Sequence, residues 1–201
     1  MKIIGITGPT GAGKTTALNA LTALGARVID ADAVYHELLE ESAPMREALL
    51  ERFGVSILDG RGKIDRKRLG NVVFGDPAAL ADLNAVTHRF VTAEIERQEE
   101  AAAHEGCPAV AIDAIALIES GVAARCDAVV GILAPKELRV ERIMAREGIS
   151  EAYARRRVEA QQGDEFFRAG CTHILVNDGA EGAPAFAERA LILFEQILEE
   201  D

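Results

Sequence analysis

The residues best suited to chemistry lie in the segment GPTGAGKT at positions 8–15. The segment matches GxxxxGK[ST] in full and stands between an apolar, β-branched run and a helical pattern, the context in which this motif binds phosphate. Successive backbone N–H groups of such a loop cradle an anion, and the following helix adds its positive end. Lys14 can then reach the outer phosphates, and the Thr15 hydroxyl can ligate Mg²⁺. The alternative is a glycine-rich turn that merely lets a helix pack close to a strand.

Two carboxylates follow other apolar runs. Asp32 ends the segment VIDAD (28–32) and could accept or align the proton of a hydroxyl. The alternative is that the acidic pair there only caps the next helix, with Asp30 supporting the site or the metal. Asp113 closes AVAID (109–113) and could hold a metal-bound water.

Five short apolar runs predict the strands that position these residues: 2–7, 26–30, 109–113, 128–133 and 173–177. A strand, a helix at 15–24 and a second strand form a βαβ crossover, so we expect an α/β fold with a five-stranded parallel sheet. The three later runs are too apolar for a half-exposed edge. A last helix at about 183–200 covers the sheet in a three-layer, nucleotide-kinase-like P-loop NTPase fold.

The remaining segments are helical. The block 31–106 has helical patterns at 33–39, 44–53, 66–74 and 76 or 77 to about 103, with a loop or turn at 54–63. A second block, 135–167, breaks at EGIS, where Ser150 can cap the next helix. We expect one domain with a core (about 1–30, 107–135 and 169–201), a helical acceptor-binding lobe (about 31–106) and an arginine-rich lid (about 136–168).

The composition restricts the partners and the location. The net charge of -11 argues against nucleic acid, although the basic run RGKIDRKR (61–68) would suggest it in isolation. That run is read as a solvated helix start or as a contact with an acceptor's phosphates. No apolar run approaches the roughly 18 residues that span a bilayer, so we expect a cytoplasmic protein without a membrane partner. Three cysteines, Cys107, Cys126 and Cys171, lack metal-site spacing and are expected to behave as small hydrophobes.

Three classes of P-loop protein compete. A GTPase-type switch needs a guanine-reading NKxD segment, and the sequence contains none; its DGRG (59–62) lies far from any predicted strand end. A motor normally has an acidic pair where this chain has the lone Asp113. A small-molecule kinase has a lid rich in arginine and a lobe for its acceptor, and both are predicted here.

Nearly the whole chain resembles the dephospho-coenzyme A kinase family. The resemblance rests on VIDAD (28–32), LNAVTH (83–88), RVERIMAREGIS (139–150), RRVEAQ (156–161) and the pair Asn177 and Gly179. It implies transfer of the ATP γ-phosphoryl group to the ribose 3′-hydroxyl of dephospho-CoA, the last step of coenzyme A biosynthesis, with ATP as donor and Mg²⁺ as cofactor. The alternatives are a kinase for another nucleoside or nucleotide and a non-catalytic nucleotide-binding relative. The protein is expected to be a monomer or a weak homo-oligomer.

The motif and the resemblance together imply the site residues. The catalytic residues are Asp32, as the base, with Lys14 and Arg142. The nucleotide-binding residues are Gly8, Pro9, Thr10, Gly11, Ala12, Gly13, Lys14, Thr15, Thr16, Arg142, Arg146 and Asn177. The acceptor-binding residues are Asp32, His88, Asp113, Arg157 and Gln161. The Mg²⁺ ligands are Thr15 and Asp113, directly or through water.

Three departures from the family pattern bear on the acceptor. The pattern DxPLLxE after the third strand reads DAIALIE here, with Ile115 and Ala116 in place of proline and leucine. Arg89 replaces the proline that usually follows the helical histidine. Gly170 and Cys171 replace the Ala-Asp pair before the last strand.

Overall fold

The five apolar runs form one parallel sheet in the computed structural model, which describes residues 1–180 and 182–200. The strands are β1 (Lys2–Thr7), β2 (Arg27–Asp30), β3 (Ala109–Asp113), β4 (Ala128–Leu133) and β5 (His173–Val176). They lie in the order β2-β3-β1-β4-β5. The central strand β1 pairs in parallel with β3 and β4, so that Ile4 faces Ala111 on one side and Ala128 on the other. The predicted five-stranded parallel sheet is confirmed.

The helices follow the predicted pattern with small shifts at their ends. They are α1 (Lys14–Ala23), α2 (Ala31–Glu41), α3 (Ala43–Phe53), α4 (Arg66–Val73), α5 (Pro77–His104), α6 (Lys136–Glu147), α7 (Glu151–Glu159), α8 (Asp164–Gly170) and α9 (Gly182–Glu199). None of the helices in the described ranges is both long enough and apolar enough to cross a bilayer.

The chain divides into two compact units. The first comprises residues 1–29 and those from 101 onward, and it contains the sheet with α1 and α9. Its core includes Ile4, Leu21, Phe186 and Phe194, all with at most 1% of their surface exposed. Burying side chains of this size is worth about 1.5–3 kcal/mol each, so this core holds β1 and α1 on either side of the GPTGAGKT loop.

The second unit, residues 30–100, contains α2, α3, α4 and most of α5. Its separate core is built around Met45, Leu49, Ile57 and Leu69. Asp30, Ser42 and Asp65 accept hydrogen bonds from backbone N–H groups in the first turns of α2, α3 and α4. Such caps satisfy groups that would otherwise have no partner at helix ends.

Three local predictions were wrong. The segment 173–177 was predicted to be fully buried, but β5 is the last strand of the sheet and only Leu175 in it is buried. The block 135–167 holds the start of a third helix, α8, after Gly163. Ser150 precedes α7 without a capping bond from its side chain. The loop or turn predicted at 54–63 contains one 3₁₀ turn, Val55–Ile57, and Leu58 forms an isolated antiparallel bridge with Ile64.

Candidate active site

The loop between β1 and α1 has the backbone that its glycines predict. Gly8, Gly11 and Gly13 have φ angles of 140°, 82° and 108°, which side chains disfavour. A Cβ at Gly8 would collide with the carbonyl oxygen of Ile132, and one at Gly13 with the side-chain amide of Asn177. Neighbouring protein atoms by themselves therefore require glycine at positions 8 and 13.

A cavity of about 380 Å³ opens at this loop. It is lined by residues 9–15, Ile115, Arg142, Arg146 and Arg157. With Lys14, the lining carries four positive side chains and no carboxylate. In a chain of net charge -11, this concentration of cations creates a local site for an anion.

Lys14 and Asp113 form an ion pair of 3.1 Å at this cavity. Their side chains are only 16% and 19% exposed, because the pair lies at the carboxyl ends of β1 and β3. Thr15 is exposed in the first turn of α1, and the backbone N–H of Thr16 donates to the Gly13 carbonyl at 3.1 Å. The phosphate-binding lysine and the metal-binding carboxylate predicted from the sequence thus contact each other directly.

Arg142 and Asn177 brace the loop. One guanidinium nitrogen of Arg142 donates to the carbonyls of Gly11 and Ala12 at 3.2 and 3.4 Å, and the other to Oδ1 of Asn177 at 3.0 Å. Asn177, 5% exposed, donates through Nδ2 to the Ala12 carbonyl at 3.0 Å. Burial lowers the pKa of the Arg142 guanidinium, which remains charged because arginine titrates far above neutral pH. Asn177 was predicted to contact the adenine or the loop around it; its side chain binds the phosphate loop.

Arg139 is a site residue that the sequence prediction missed. Its side chain is 2% exposed, and its Nε donates to the Thr10 carbonyl at 3.0 Å. Its Nη2 donates to Oε1 of Gln161 at 2.6 Å, while Nε2 of Gln161 donates to the Thr10 hydroxyl at 3.0 Å. Burial lowers the pKa of Arg139, against an opposing effect of the Asp164 charge. The sequence signal that could have identified Arg139 is its spacing of three residues from Arg142, because that spacing places both side chains on one face of α6.

Gln161 lies in a different position from the one predicted. It was expected to share a helix face with Arg157, but α7 ends at Glu159 and Gln161 follows that end. Its side-chain oxygen also accepts from the backbone N–H of Thr10 at 3.1 Å. Gln161 and Arg139 together fix Thr10 in the loop.

Comparison with known proteins decides the family. The family model described as dephospho-CoA kinase matches residues 2–182. The chain belongs to the dephospho-CoA kinase family. It is 38% identical over 180 residues to the dephospho-CoA kinase of Symbiobacterium thermophilum, covering 90% of this chain and 75% of the relative. It is 39% identical to the enzyme of Thermobifida fusca, covering 89% and 88%.

A solved structure of a Thermus thermophilus protein is 33% identical, with a TM-score of 0.80 over 99% of this chain and 98% of that one. The protein is thus a kinase, a transferase with a P-loop fold, and dephospho-CoA kinases perform the last step of coenzyme A biosynthesis.

Glu147 holds two of the cations that line the cavity of this kinase. Arg146 donates to Oε1 of Glu147 at 2.7 Å, and Arg157 donates to Oε2. Hydrogen bonds from Arg146 and Arg157 lower the pKa of the Glu147 carboxyl. Arg155 bridges Glu137 and Glu151.

Asp32 and His88, the other residues that the family resemblance singled out, belong to the second unit. Asp30 supplies the cap of α2, since its Oδ1 accepts from the Ala33 N–H at 2.9 Å. Asp30 therefore serves as the cap of α2. Asp32, which is exposed in the first turn of that helix, does not serve as a cap. His88 is exposed in the middle of α5, which continues through Arg89 where the family usually has proline.

One of the departures from the family pattern, Gly170, lies against the DAIALIE segment that follows β3. A Cβ at Gly170 would lie 2.7 Å from Cδ1 of Ile118, so glycine there makes room for the isoleucine of DAIALIE. The Thr7 hydroxyl donates to the Ile115 carbonyl at 3.2 Å, which ties this segment to the end of β1. Burial raises the pKa of the Cys171 thiol to about 11, which fits the inert, half-buried cysteine expected from the sequence.

Proposed function

We propose that this protein transfers the γ-phosphoryl group of ATP to the ribose 3′-hydroxyl of dephospho-CoA by means of the residues described above. The observation that carries this proposal is the 380 Å³ cavity with four cations at a P-loop. In the reaction the hydroxyl oxygen bonds to the γ-phosphorus, the bond to the β-phosphate oxygen breaks, and ADP leaves. The hydroxyl proton passes to the Asp32 carboxylate.

The cations around the cavity stabilise the charge on the transferring group. Phosphoryl transfer proceeds through a loose transition state with charge on the equatorial oxygens, so positioned cations contribute more than covalent chemistry does. Lys14 exchanges its 3.1 Å contact with Asp113 for the phosphates of ATP. Arg146 likewise turns from Glu147 to the nucleotide and Arg157 turns to the acceptor, whereas Arg142 keeps the loop in shape and adds its charge.

The donor atoms near Lys14 fit Mg²⁺. The Thr15 hydroxyl and the Asp113 carboxylate are hard oxygen ligands, and Mg²⁺ typically takes one or two protein oxygens together with substrate phosphates. Among residues 1–180 and 182–200, no group of three or more His, Cys, Asp or Glu side chains could hold a metal by itself. A bound Mg²⁺ would neutralise phosphate charge.

The acceptor residues predicted from the family divide into two groups. Four of them, Asp32, His88, Asp113 and Arg157, keep their proposed contacts with the acceptor. We assign Gln161 to positioning Thr10, because both ends of its amide group are already bonded to that residue.

Acceptor-dependent ADP release tests the function. The purified protein should release ADP from Mg-ATP many times faster with dephospho-CoA than without it. Adenosine, AMP and shikimate serve as comparison acceptors. Faster turnover of one of these, with dephospho-CoA inert, would favour a kinase for another acceptor, and no stimulation by any of them would indicate a nucleotide-binding module.

The location and the assembly are also proposals. We place the protein in the cytoplasm, where ATP is abundant, and expect a monomer or a weak homo-oligomer, which light scattering after size-exclusion chromatography would measure.

A further inference from the structure

Water competes with the acceptor hydroxyl in a phosphoryl transfer of this kind. When the oxygen of a water molecule bonds to the γ-phosphorus in place of the ribose oxygen, the bond to the β-phosphate oxygen breaks in the same way. ADP and inorganic phosphate leave, a proton passes to solvent, and ATP is consumed without product. Active sites suppress such side reactions by excluding water from the reacting group.

Most of the lining of the P-loop cavity attracts water. The backbone of residues 9–15 offers polar groups, and Lys14 and three arginines add charge. Pro9 and Ala12, which also belong to the lining, are buried. Ile115 is a large apolar residue of this lining and is 45% exposed. Exposed apolar surface in this cavity therefore comes from Ile115.

Ile115 lies near the end of the cavity where transfer takes place. It follows Asp113 by two residues, and the Asp113 carboxylate pairs with Lys14 at 3.1 Å. The lysine of a P-loop reaches the β- and γ-phosphates. Because two residues span at most about 7 Å, the Ile115 backbone stays close to the group that binds those phosphates.

The segment around Ile115 is fixed to the central strand of the sheet. The Thr7 hydroxyl donates to the Ile115 carbonyl at 3.2 Å, and the Ala114 N–H donates to the Ile6 carbonyl at 3.2 Å. Ala114 and Leu117, on either side, are buried. The Ile115 side chain thus has a defined place at the cavity although it is exposed.

We propose that Ile115 is a specificity-determining residue that favours transfer to the acceptor over hydrolysis of ATP. The inference rests on the proposed function, because it concerns the choice between two nucleophiles at the same γ-phosphate. The branched side chain covers one side of the cavity with a surface that offers water no hydrogen bond. A water molecule held there would lack the two to four polar partners that a bound water needs.

Two nearly isosteric substitutions in the full-length protein test this inference. Threonine and valine have similar shapes, but threonine adds a hydroxyl that can hold a water molecule. Release of inorganic phosphate from Mg-ATP measures hydrolysis, and formation of CoA from dephospho-CoA measures transfer. Ile115→Thr should raise the ratio of hydrolysis to transfer about tenfold or more, the scale on which one small group alters discrimination in an apolar pocket. Ile115→Val should change this ratio little.

The matched control is Ile192→Thr, the same substitution at a 48% exposed position on α9 outside the cavity lining. It should leave the ratio unchanged. A purely structural role of Ile115 would lower Tm or slow both reactions together, whereas the ratio responds only to the choice of nucleophile. Thermal unfolding of each variant measures Tm.

The outcomes separate this inference from the proposed function. If wild-type protein phosphorylates dephospho-CoA but Ile115→Thr has the wild-type ratio, or if Ile115→Val raises the ratio equally, the role of Ile115 is wrong. If neither the wild type nor any variant forms CoA, yet Ile115→Thr releases phosphate from Mg-ATP much faster than Ile115→Val does, exclusion of water by Ile115 stands and the proposed function fails.

Discussion

Asp30 and Asp32 illustrate how two carboxylates in one short segment differ in role. The Asp30 side chain accepts the Ala33 N–H, and replacing such a cap by alanine typically costs about 1 kcal/mol of stability. Asp32 lies two residues further along, in the first turn of α2, where it is exposed and does not cap the helix. Asp30 therefore has a structural role at the start of α2, whereas capping does not explain Asp32, for which we propose a catalytic role.

We predict that Asp32→Asn lowers kcat for dephospho-CoA by about 10²- to 10⁴-fold, the usual contribution of a positioned general base. The Kd for Mg-ATP should remain within about twofold, since Asp32 is proposed to act on the acceptor. Steady-state ADP release and calorimetry measure the two quantities. Glu40→Gln, an exposed carboxylate on the same helix, is the control; equal losses of turnover and ATP affinity in Asp32→Asn would contradict the base assignment.

Arg139 acts through Thr10, and we predict that Arg139→Met lowers both stability and ATP affinity. The Thr10 carbonyl would lose its 3.0 Å bond, and an unsatisfied buried acceptor costs about 2 kcal/mol. For a chain of this size that corresponds to a fall in Tm of about 4–8 °C. Calorimetry should also show weaker Mg-ATP binding. The control Lys136→Met, at an exposed position on α6, should change neither Tm nor ATP affinity. An unchanged ATP affinity in Arg139→Met would contradict the proposal that the Arg139–Thr10 hydrogen bond supports nucleotide binding.

At the scale of elements, α6 and α7 are joined by arginine–glutamate pairs. Arg155 binds both oxygens of Glu137, and Arg157 reaches Glu147 from the neighbouring helix. These pairs hold the two helices in the arrangement that places Arg146 and Arg157 at the cavity.

The pairs predict a pH dependence of stability. Hydrogen bonds from Arg155 lower the pKa of Glu137, as those from Arg146 and Arg157 lower that of Glu147. A carboxyl whose folded pKa is depressed stabilises the protein above its unfolded pKa of about 4.3 and loses that effect as pH falls through the folded value. The double variant Glu137→Gln, Glu147→Gln should therefore have a lower Tm than wild type at pH 7.

The two Tm values should converge as the pH falls from about 5 to 3. Thermal unfolding followed by circular dichroism at intervals across this range measures the gap. Because both carboxylates are exposed, the gap at pH 7 should be small and should shrink in high salt. A gap of constant size at all pH values would show that the pairs do not contribute through their charge.

At the scale of the whole molecule, net charge and local charge have opposite signs. The chain has a formal net charge of -11, yet four positively charged side chains line the cavity at the P-loop. An acidic exterior disfavours polyanions such as nucleic acid, whereas a small triphosphate can enter a local positive site.

We predict that Mg-ATP at about 100 times its Kd stabilises the folded protein by about 2.7 kcal/mol. For a chain of this length the Tm should rise by about 5–10 °C, measured by differential scanning calorimetry. EDTA should reduce the shift if Mg²⁺ takes part. In Lys14→Met the shift should be small; a full shift in that variant would place the nucleotide elsewhere.

Much of the architecture was predictable because its signals are local. The strands are short apolar runs, and the phosphate loop is a contiguous motif whose strand, glycines, lysine and helix stand in register. The edge position of β5 was not predictable, since the apolar run 173–177 reads the same whether one or two strands flank it. The start of α8 was missed because no capping side chain precedes it.

The sequence by itself determined the P-loop, the five parallel strands, the helical lobe and the family, because each depends on residue types at fixed short spacings. The tertiary structure decided which side chains hold that loop: Gln161 bonds to Thr10 from 151 residues away, and Asn177 to Ala12 from 165. It also decided that Arg139 is buried and that Lys14 pairs with Asp113. Such contacts join distant segments through packing, and no spacing along the chain encodes the distance between them.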